Sequence, residues 1–206
     1  ASPTLQHLPA LARERGYLVE VAPVDVCPQL ELPPAWDDYL AGLTKKDRHE
    51  LRRKVRRLEA DGPATYYALD DGGNLEEDLA DFMRLHVESR EDKRAFMTPQ
   101  MGRFFAAIVQ WLRQEGYLKL YFLEINGQRV STVLCFDYRG QYLLYNSGYD
   151  LAYRSLSVGL LLKAFCLRDA IAMGRRRFDF LRGSEPYKYD LGGRDFSIYR
   201  CVVRRH

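Results

Sequence analysis

Residues 117–147 switch to period two, and that switch constrains the fold more than any other feature of the chain. Tyr117 to Ile125, Arg129 to Tyr138 and Gln141 to Ser147 alternate as strands do. Only tight turns separate them. Asn126-Gly127 is a type I′ hairpin signal, and Arg139-Gly140 is compatible with a second such turn. Three strands joined in this way make an antiparallel meander. A long apolar helix follows, about Ser157 to Met173, closed by Gly174, and then two more strands, at Phe178–Leu181 and about Phe196–Arg204. Strand, long helix and strand in succession make a β-α-β crossover. The order predicts an α/β (α+β) fold with a mixed central sheet and helices on both faces.

The first half of the chain is mostly helical. Leu8 to Arg15 fits a short helix and Tyr17 to Val24 a strand, after which Cys27-Pro28 and Pro33-Pro34 impose extended or turn conformations. Residues 1–34 therefore read as the tail of a preceding unit plus a linker, and residues 35–206 as the main domain. The first residue is Ala rather than Met, which fits a chain trimmed from a longer one. Thr44 and Asp47 fit a capping box that opens a helix with an apolar stripe of Leu51, Val55 and Leu58. Thr65 to Leu69 is a brief strand, and Asp70 to Asn74 a turn. Leu75 to Glu91 and Pro99 to Gln114 are two further helices.

Composition removes several classes of function. With 47% hydrophobic and 29% charged residues, the chain is of ordinary soluble globular type, and a net charge of +3 is too small to argue for nucleic acid. Cys27, Cys135, Cys166 and Cys201 form no CxxC pair, and the histidines have no ligand spacing, so no metal is expected. Dispersed thiols, no signal-peptide pattern and no membrane-length apolar run point to a cytoplasmic protein with no membrane span.

The densest chemistry lies in FDFLRGSEPYKYDLGG, Phe178 to Gly193. A short apolar strand around Asp179 runs into a turn carrying Arg182, Glu185, Tyr187 and Lys188. Strand ends aim loop side chains precisely enough for catalysis, and α/β folds place their sites there.

With WDDYLAGLTKKDRHELRRKVRRLE (Trp36–Glu59), RLHVESREDKRAFMT (Arg84–Thr98) and YNSGYDLAYRSLSVGLLL (Tyr145–Leu162), that segment completes four strings in a fixed order. Together they resemble the GNAT acyltransferases, and within them the FemAB-like, BioF2-like (cellulose-biosynthesis-type) acetyltransferases. The resemblance spans about residues 35–206. It implies the GNAT fold, acetyl-CoA or another acyl-CoA as donor, and an amine or hydroxyl of a small metabolite or cell-envelope precursor as acceptor. It also implies that residues 1–34 end a preceding GNAT-like half. Where the family holds the coenzyme A pyrophosphate on a Gly-rich loop, this chain has Arg154, Ser155, Leu156, Ser157, Val158 and Gly159, with one glycine. The helix that starts there still offers free amides and a positive dipole end. Ser157-Val158-Gly159 by itself fits a plain N-cap with a small residue for packing, and the resemblance implies a phosphate cradle there.

The remaining candidates carry paired readings. Glu185 fits a general base or a carboxylate paired with Arg182 or Lys188; Asp179 fits a rival base or a buried anchor. Tyr149 fits a general acid toward the leaving thiolate, or a rim tyrosine. Lys188 and Arg182 fit contacts to a phosphate or carboxylate, or a solvated basic loop. The pair Tyr187-Lys188 matches the aromatic-Lys pair that binds substrate in Fem-type relatives. His86, Arg90 and Lys93 fall at i, i+4 and i+7, which puts them on one helix face where they fit the acceptor side of a cleft, while Asn146 ends the third meander strand, near where an acyl-donor pocket would open in such a fold and suited to contact substrate.

Lys45, Lys46, Arg48, Arg52, Arg53, Lys54, Arg56 and Arg57 crowd one helix. They fit a track for a phosphate backbone or a solvated helix back. Fem relatives take aminoacyl-tRNA as donor, so a FemABX-like transferase that binds tRNA is the second reading. A catalytically degenerate GNAT domain with a binding or structural role is the third. The partners implied are a small-molecule donor and acceptor, tRNA under the second reading, and a second copy of the chain in a homodimer.

Overall fold

The computed structural model describes residues 3–69 and 73–205. Residues 70–72 of the turn expected at Asp70 to Asn74 lie outside that range. In chain order the elements are α1 (Thr4–Glu14), β1 (Leu18–Glu31), α2 (Trp36–Gly42), α3 (Lys45–Asp61), β2 (Ala64–Ala68), α4 (Leu75–Glu88), α5 (Glu91–Phe96), α6 (Pro99–Gln114), β3 (Leu118–Ile125), β4 (Gln128–Tyr138), β5 (Gln141–Tyr149), a 3₁₀ turn (Leu151–Leu156), α7 (Val158–Ala172), β6 (Arg177–Asp179), α8 (Pro186–Asp190) and β7 (Arg194–Arg204). The sheet runs β2-β3-β4-β5-β6-β1-β7. Every neighbouring pair is antiparallel except β5 and β6, which the α7 crossover joins in parallel.

Period two sorts the core onto the two faces of the sheet. On β3, Tyr121, Leu123 and Ile125 join the cluster under α2, α3 and α7, while Leu120 and Phe122 join the cluster under α4 and α6. The helix α7 is apolar almost all round and correspondingly buried, as expected of a helix at the centre of a fold. By contrast, α3 buries only Leu51 and Leu58 and keeps Arg52, Arg56 and Arg57 exposed. Thr44 caps α3 by accepting from the Asp47 amide at 3.1 Å. The Asp47 carboxylate does not reach the Thr44 backbone amide of a full capping box; it accepts from the Thr44 hydroxyl at 2.6 Å.

Two sequence expectations change. The helix expected over Leu75 to Glu91 ends at Glu88, and Arg90, in extended backbone, caps the separate α5. His86, Arg90 and Lys93 therefore share no helix face. The first part of the Pro-containing stretch expected as a linker, Cys27–Glu31, is strand, while Pro33-Pro34 lies beyond it outside the sheet. Cys27, Pro28 and Gln29 continue β1, which pairs with β7 from Leu18↔Arg204 to Gln29↔Arg194 and with β6 at Gln29–Glu31. Pro28 fits because its missing donor is not needed: its carbonyl accepts from Phe180 at 3.0 Å.

β7 pairs with β1 alone, so deletion of residues 1–34 leaves β7 with no partner strand and uncovers the edge of β6. Such a chain is expected to lose its cooperative urea transition. An unshifted transition in the truncated chain would contradict this role of β1.

Candidate active site

The opening of the site is a gap in the sheet. β5 and β6 pair only at Gln141↔Arg177, Tyr142↔Phe178 and Leu143↔Asp179. β6 then stops, whereas β5 runs on to Tyr149. The far half of β5 thus turns an unpaired edge toward the loop 180–185, with α7 on one face and α4–α6 on the other.

Lys188 builds the wall formed by that loop. Its buried ammonium donates to the carbonyls of Leu181 at 2.9 Å, Arg182 at 2.9 Å and Gly183 at 3.0 Å, and pairs with Glu185 at 2.9 Å. All three ammonium protons are thereby consumed. Lys188 holds the loop and leaves nothing over for the phosphate or carboxylate contact read from the sequence. Asp179 is spent in the same way, accepting from Gln29 Nε2 at 2.8 Å and from the Leu181 amide at 2.8 Å. Burial pushes its carboxyl up, and the two hydrogen bonds only partly offset this. Arg182 is exposed and paired with Asp25 of β1.

Glu185 stands exposed before α8. Burial of part of its side chain would raise its carboxyl, but the Lys188 hydrogen bond and charge win and hold it below the usual carboxylate range. It is therefore ionised, and a weaker base than a carboxylate in an apolar pocket. Tyr187 is largely buried, edge-on to Phe180 with centroids 6.4 Å apart, and burial pushes its phenol up.

The floor is the start of α7. A cleft of about 250 Å³ is lined by Tyr149, Arg154, Ser157, Val158, Gly159, Lys163 and Tyr187, among others. Ser157 enters the helix at φ +58° and makes no side-chain cap, so nothing in its side chain competes for the first-turn amides. A Cβ on Gly159 would lie 2.9 Å from the Tyr149 ring, which lies across that turn. Gly159 thus serves close packing of that ring against the first turn, where Val158 and Gly159 are buried and the Leu160 amide is bonded to the Ser157 carbonyl at 3.0 Å.

On the opposite face of β5 a second glycine sets the geometry. A Cβ on Gly148 would sit 2.4 Å from the Leu85 and His86 backbone, so only glycine lets α4 come this close. That approach brings His86 Nδ1 to 3.0 Å from the Ser147 carbonyl. Lys93 Nζ donates to the same oxygen at 2.6 Å. His86 is buried and stacked on Phe82, and burial, then the charge of Lys93, lowers its imidazole to about 4. Its Nε2 has no partner among the described residues. Asn146 accepts from the next amide in its own strand at 3.0 Å, and Arg90 points outward to Asp92 at 2.8 Å.

The structure therefore gathers Tyr149, Arg154, Ser157, Val158, Gly159 and Tyr187 on one cleft. Glu185 stands exposed before α8, held by Lys188 and outside the lining of that cleft, Lys188 and Asp179 hold the loop 180–185, and Arg90 and Arg182 lie apart from the cleft. Sequence reasoning missed Lys163. Its signal was a lone charge in the apolar run Val158 to Leu167.

A family model described as an acetyltransferase (GNAT) domain matches residues 45–189. The chain belongs to the GNAT family. This GNAT domain shares its fold with FemX at a TM-score of 0.70 and 12% identity, covering 94% of this chain and 66% of FemX. It shares it also with L-PGS from Bacillus licheniformis at a TM-score of 0.61 and 15% identity, covering 95% of this chain and 64% of that one. The chain thus spans less than two thirds of either neighbour. No curated protein matches it. No helix among the described residues is long and apolar enough to cross a membrane.

Two measurements check this architecture. Lys188→Met strips three loop carbonyls of their donor, and a loss of about 3 kcal/mol in urea denaturation is expected. The second concerns pH. Between the ordinary histidine value of 6.5 and about 4, the unfolded chain binds a proton at His86 that the folded chain does not. Stability is therefore complete above that window and falls as pH drops through it, by about 3 kcal/mol in all. His86→Gln should flatten this part of the stability curve.

Proposed function

We propose that this GNAT domain moves an acyl group, acetyl in the simplest case, from an acyl-CoA to an amine or hydroxyl of a small metabolite or cell-envelope precursor. The observation that carries the reading is the cleft where β5 parts from β6, floored by the start of α7. First-turn amides and the helix dipole suit the donor's phosphates, with the exposed Arg154 beside them. The unpaired edge of β5 offers backbone amides that fit the oxyanion formed when the acceptor attacks the thioester carbonyl. Attack is direct, because among the described residues no cysteine or serine lies beside a base suited to activating it. Ionised Glu185 is assigned to take the acceptor's proton, and Tyr149 to protonate the leaving thiolate. Lys188 and Asp179 act as positioning residues through the loop. Residues 1–34 are assigned to the end of a preceding GNAT-like half whose strand β1 completes this sheet.

A second reading has an observation of its own. Arg52, Arg56 and Arg57 are exposed on α3 and form no ion pair among the described residues, whereas Arg53 and Lys54 are tied to Glu50 at 2.7 and 2.6 Å. That free face suits an aminoacyl-tRNA donor.

Isothermal titration with acetyl-CoA tests the first reading. Micromolar binding is expected, weakened about tenfold by Gly159→Ala, whose Cβ drives the Tyr149 ring into the cleft. If acetyl-CoA does not bind, the acyl-CoA reading falls. Salt-sensitive tRNA binding that is lost with Arg52, Arg56 and Arg57 would then put the second in its place.

A further inference from the structure

Lys93 and Lys163 approach the gap between β5 and β6 from its two faces. Lys93 comes from α5 and donates to the Ser147 carbonyl at 2.6 Å; Lys163 comes from α7 and donates to the Gly159 carbonyl at 2.9 Å. The Lys163 ammonium lies 4.8 Å from the centre of the Tyr187 ring, and its side chain is only 7% exposed. An ammonium carries three donors, yet each of these lysines has one acceptor and no ion pair among the described residues. Lys188, close by, has four partners and shows what a satisfied lysine looks like in this fold.

The surroundings supply little negative charge. Lys93 faces Arg90 and Asp92 on its own helix, His86 from α4, and Glu185 from the loop before α8; Lys163 faces Lys93, the thiols of Cys135 and Cys166, and Glu185. Glu185 is the carboxylate common to both, and Lys188 already holds it. Burial, followed by the charge of Arg90, lowers Lys93 to about 8, and burial, followed by the charge of Lys93, lowers Lys163 to about 7. Buried cations without a counter-charge are costly, and proteins keep them where a ligand supplies the missing charge.

We propose that Lys93 and Lys163 form a two-lysine site for an anionic group, a carboxylate or a tetrahedral phosphate-type group, carried by the acyl acceptor. The assignment to the acceptor rests on the acyl-transfer reading above. Lys163 lines the α7 cleft to which the donor's phosphates are assigned, whereas Lys93 stands on the other face of β5, so the acceptor's anion would span from the edge of that cleft to the face the donor leaves open. A bound anion favours both ammonium forms, so binding takes up protons near pH 8 and weakens as pH rises further.

The experiment is isothermal titration with sodium sulfate at about pH 8 in two buffers of different ionisation enthalpy. Sulfate stays fully ionised there, so proton uptake belongs to the protein. Binding with uptake of about one proton is expected. In Lys163→Met and in Lys93→Met the affinity should fall about tenfold or more. Both variants should fold, since replacing an uncompensated buried charge by an apolar chain of similar size does not destabilise, and a Tm at or above that of the parent confirms it. Sulfate affinity unchanged in both variants, or binding without proton uptake, overturns the site. In a second arm, coenzyme A is added to saturation first. Retained sulfate binding supports an acceptor site; abolished binding hands the anion to the donor and overturns that assignment. Failure of coenzyme A to bind sinks the acyl-CoA reading alone, and the sulfate result then still decides whether the lysine site exists.

Discussion

The hydrogen bonds from the Lys188 ammonium to the carbonyls of Leu181, Arg182 and Gly183 fix where β6 ends. Leu181 sits at φ +57°, a region that costs a non-glycine residue about 1–3 kcal/mol. The Asp179 carboxylate on its amide and the Lys188 ammonium on its carbonyl hold it there. The Gly183 amide then docks on the Val26 carbonyl of β1 at 2.9 Å. With the loop pinned to β1, it cannot follow β5, and the sheet opens after three paired residues. The cleft, the bare edge of β5 and access to the first turn of α7 all follow from that divergence.

Two close approaches set the faces of the opening. Gly159 lets the Tyr149 ring lie across α7, and Gly148 lets α4 reach β5. Each brings a polar group to the gap that a bulkier residue would hold away: the helix amides on one side, His86 and the Lys93 contact on the other. Lys93 and Lys163 face the gap without an ion pair among the described residues, and Glu185 is neutralised by the loop that presents it. A site of that polarity suits acyl chemistry between anionic partners, because charge developing on oxygen meets fixed positive groups in a partly dry space.

The meander, the crossover and the helix α6 from Pro99 to Gln114 were legible because their signals are local: alternation, hairpin dipeptides and glycines that close the helices. The break between α4 and α5 was not legible. Ser89 and Arg90 carry no strong stop signal, and the chain turns there so that Lys93 can reach the Ser147 carbonyl on a distant strand. Continuation of β1 through Cys27-Pro28 was hidden for the same reason. Proline reads as a breaker until its carbonyl finds Phe180, more than a hundred residues on.

The sequence by itself determined the element order, the two-faced sheet and the segment, Phe178 to Gly193, that closes the site, since periodicity and turn chemistry act over a few residues. Tertiary structure alone decided the roles inside that segment. Lys188 looks like a ligand-binding cation in sequence and becomes a loop clamp once three carbonyls surround it. Lys163 looks like an interruption of an apolar helix and becomes part of the wall of the cleft. Whether a charge serves structure or ligand depends on how many partners its protons find, and those partners come from residues that only folding brings together.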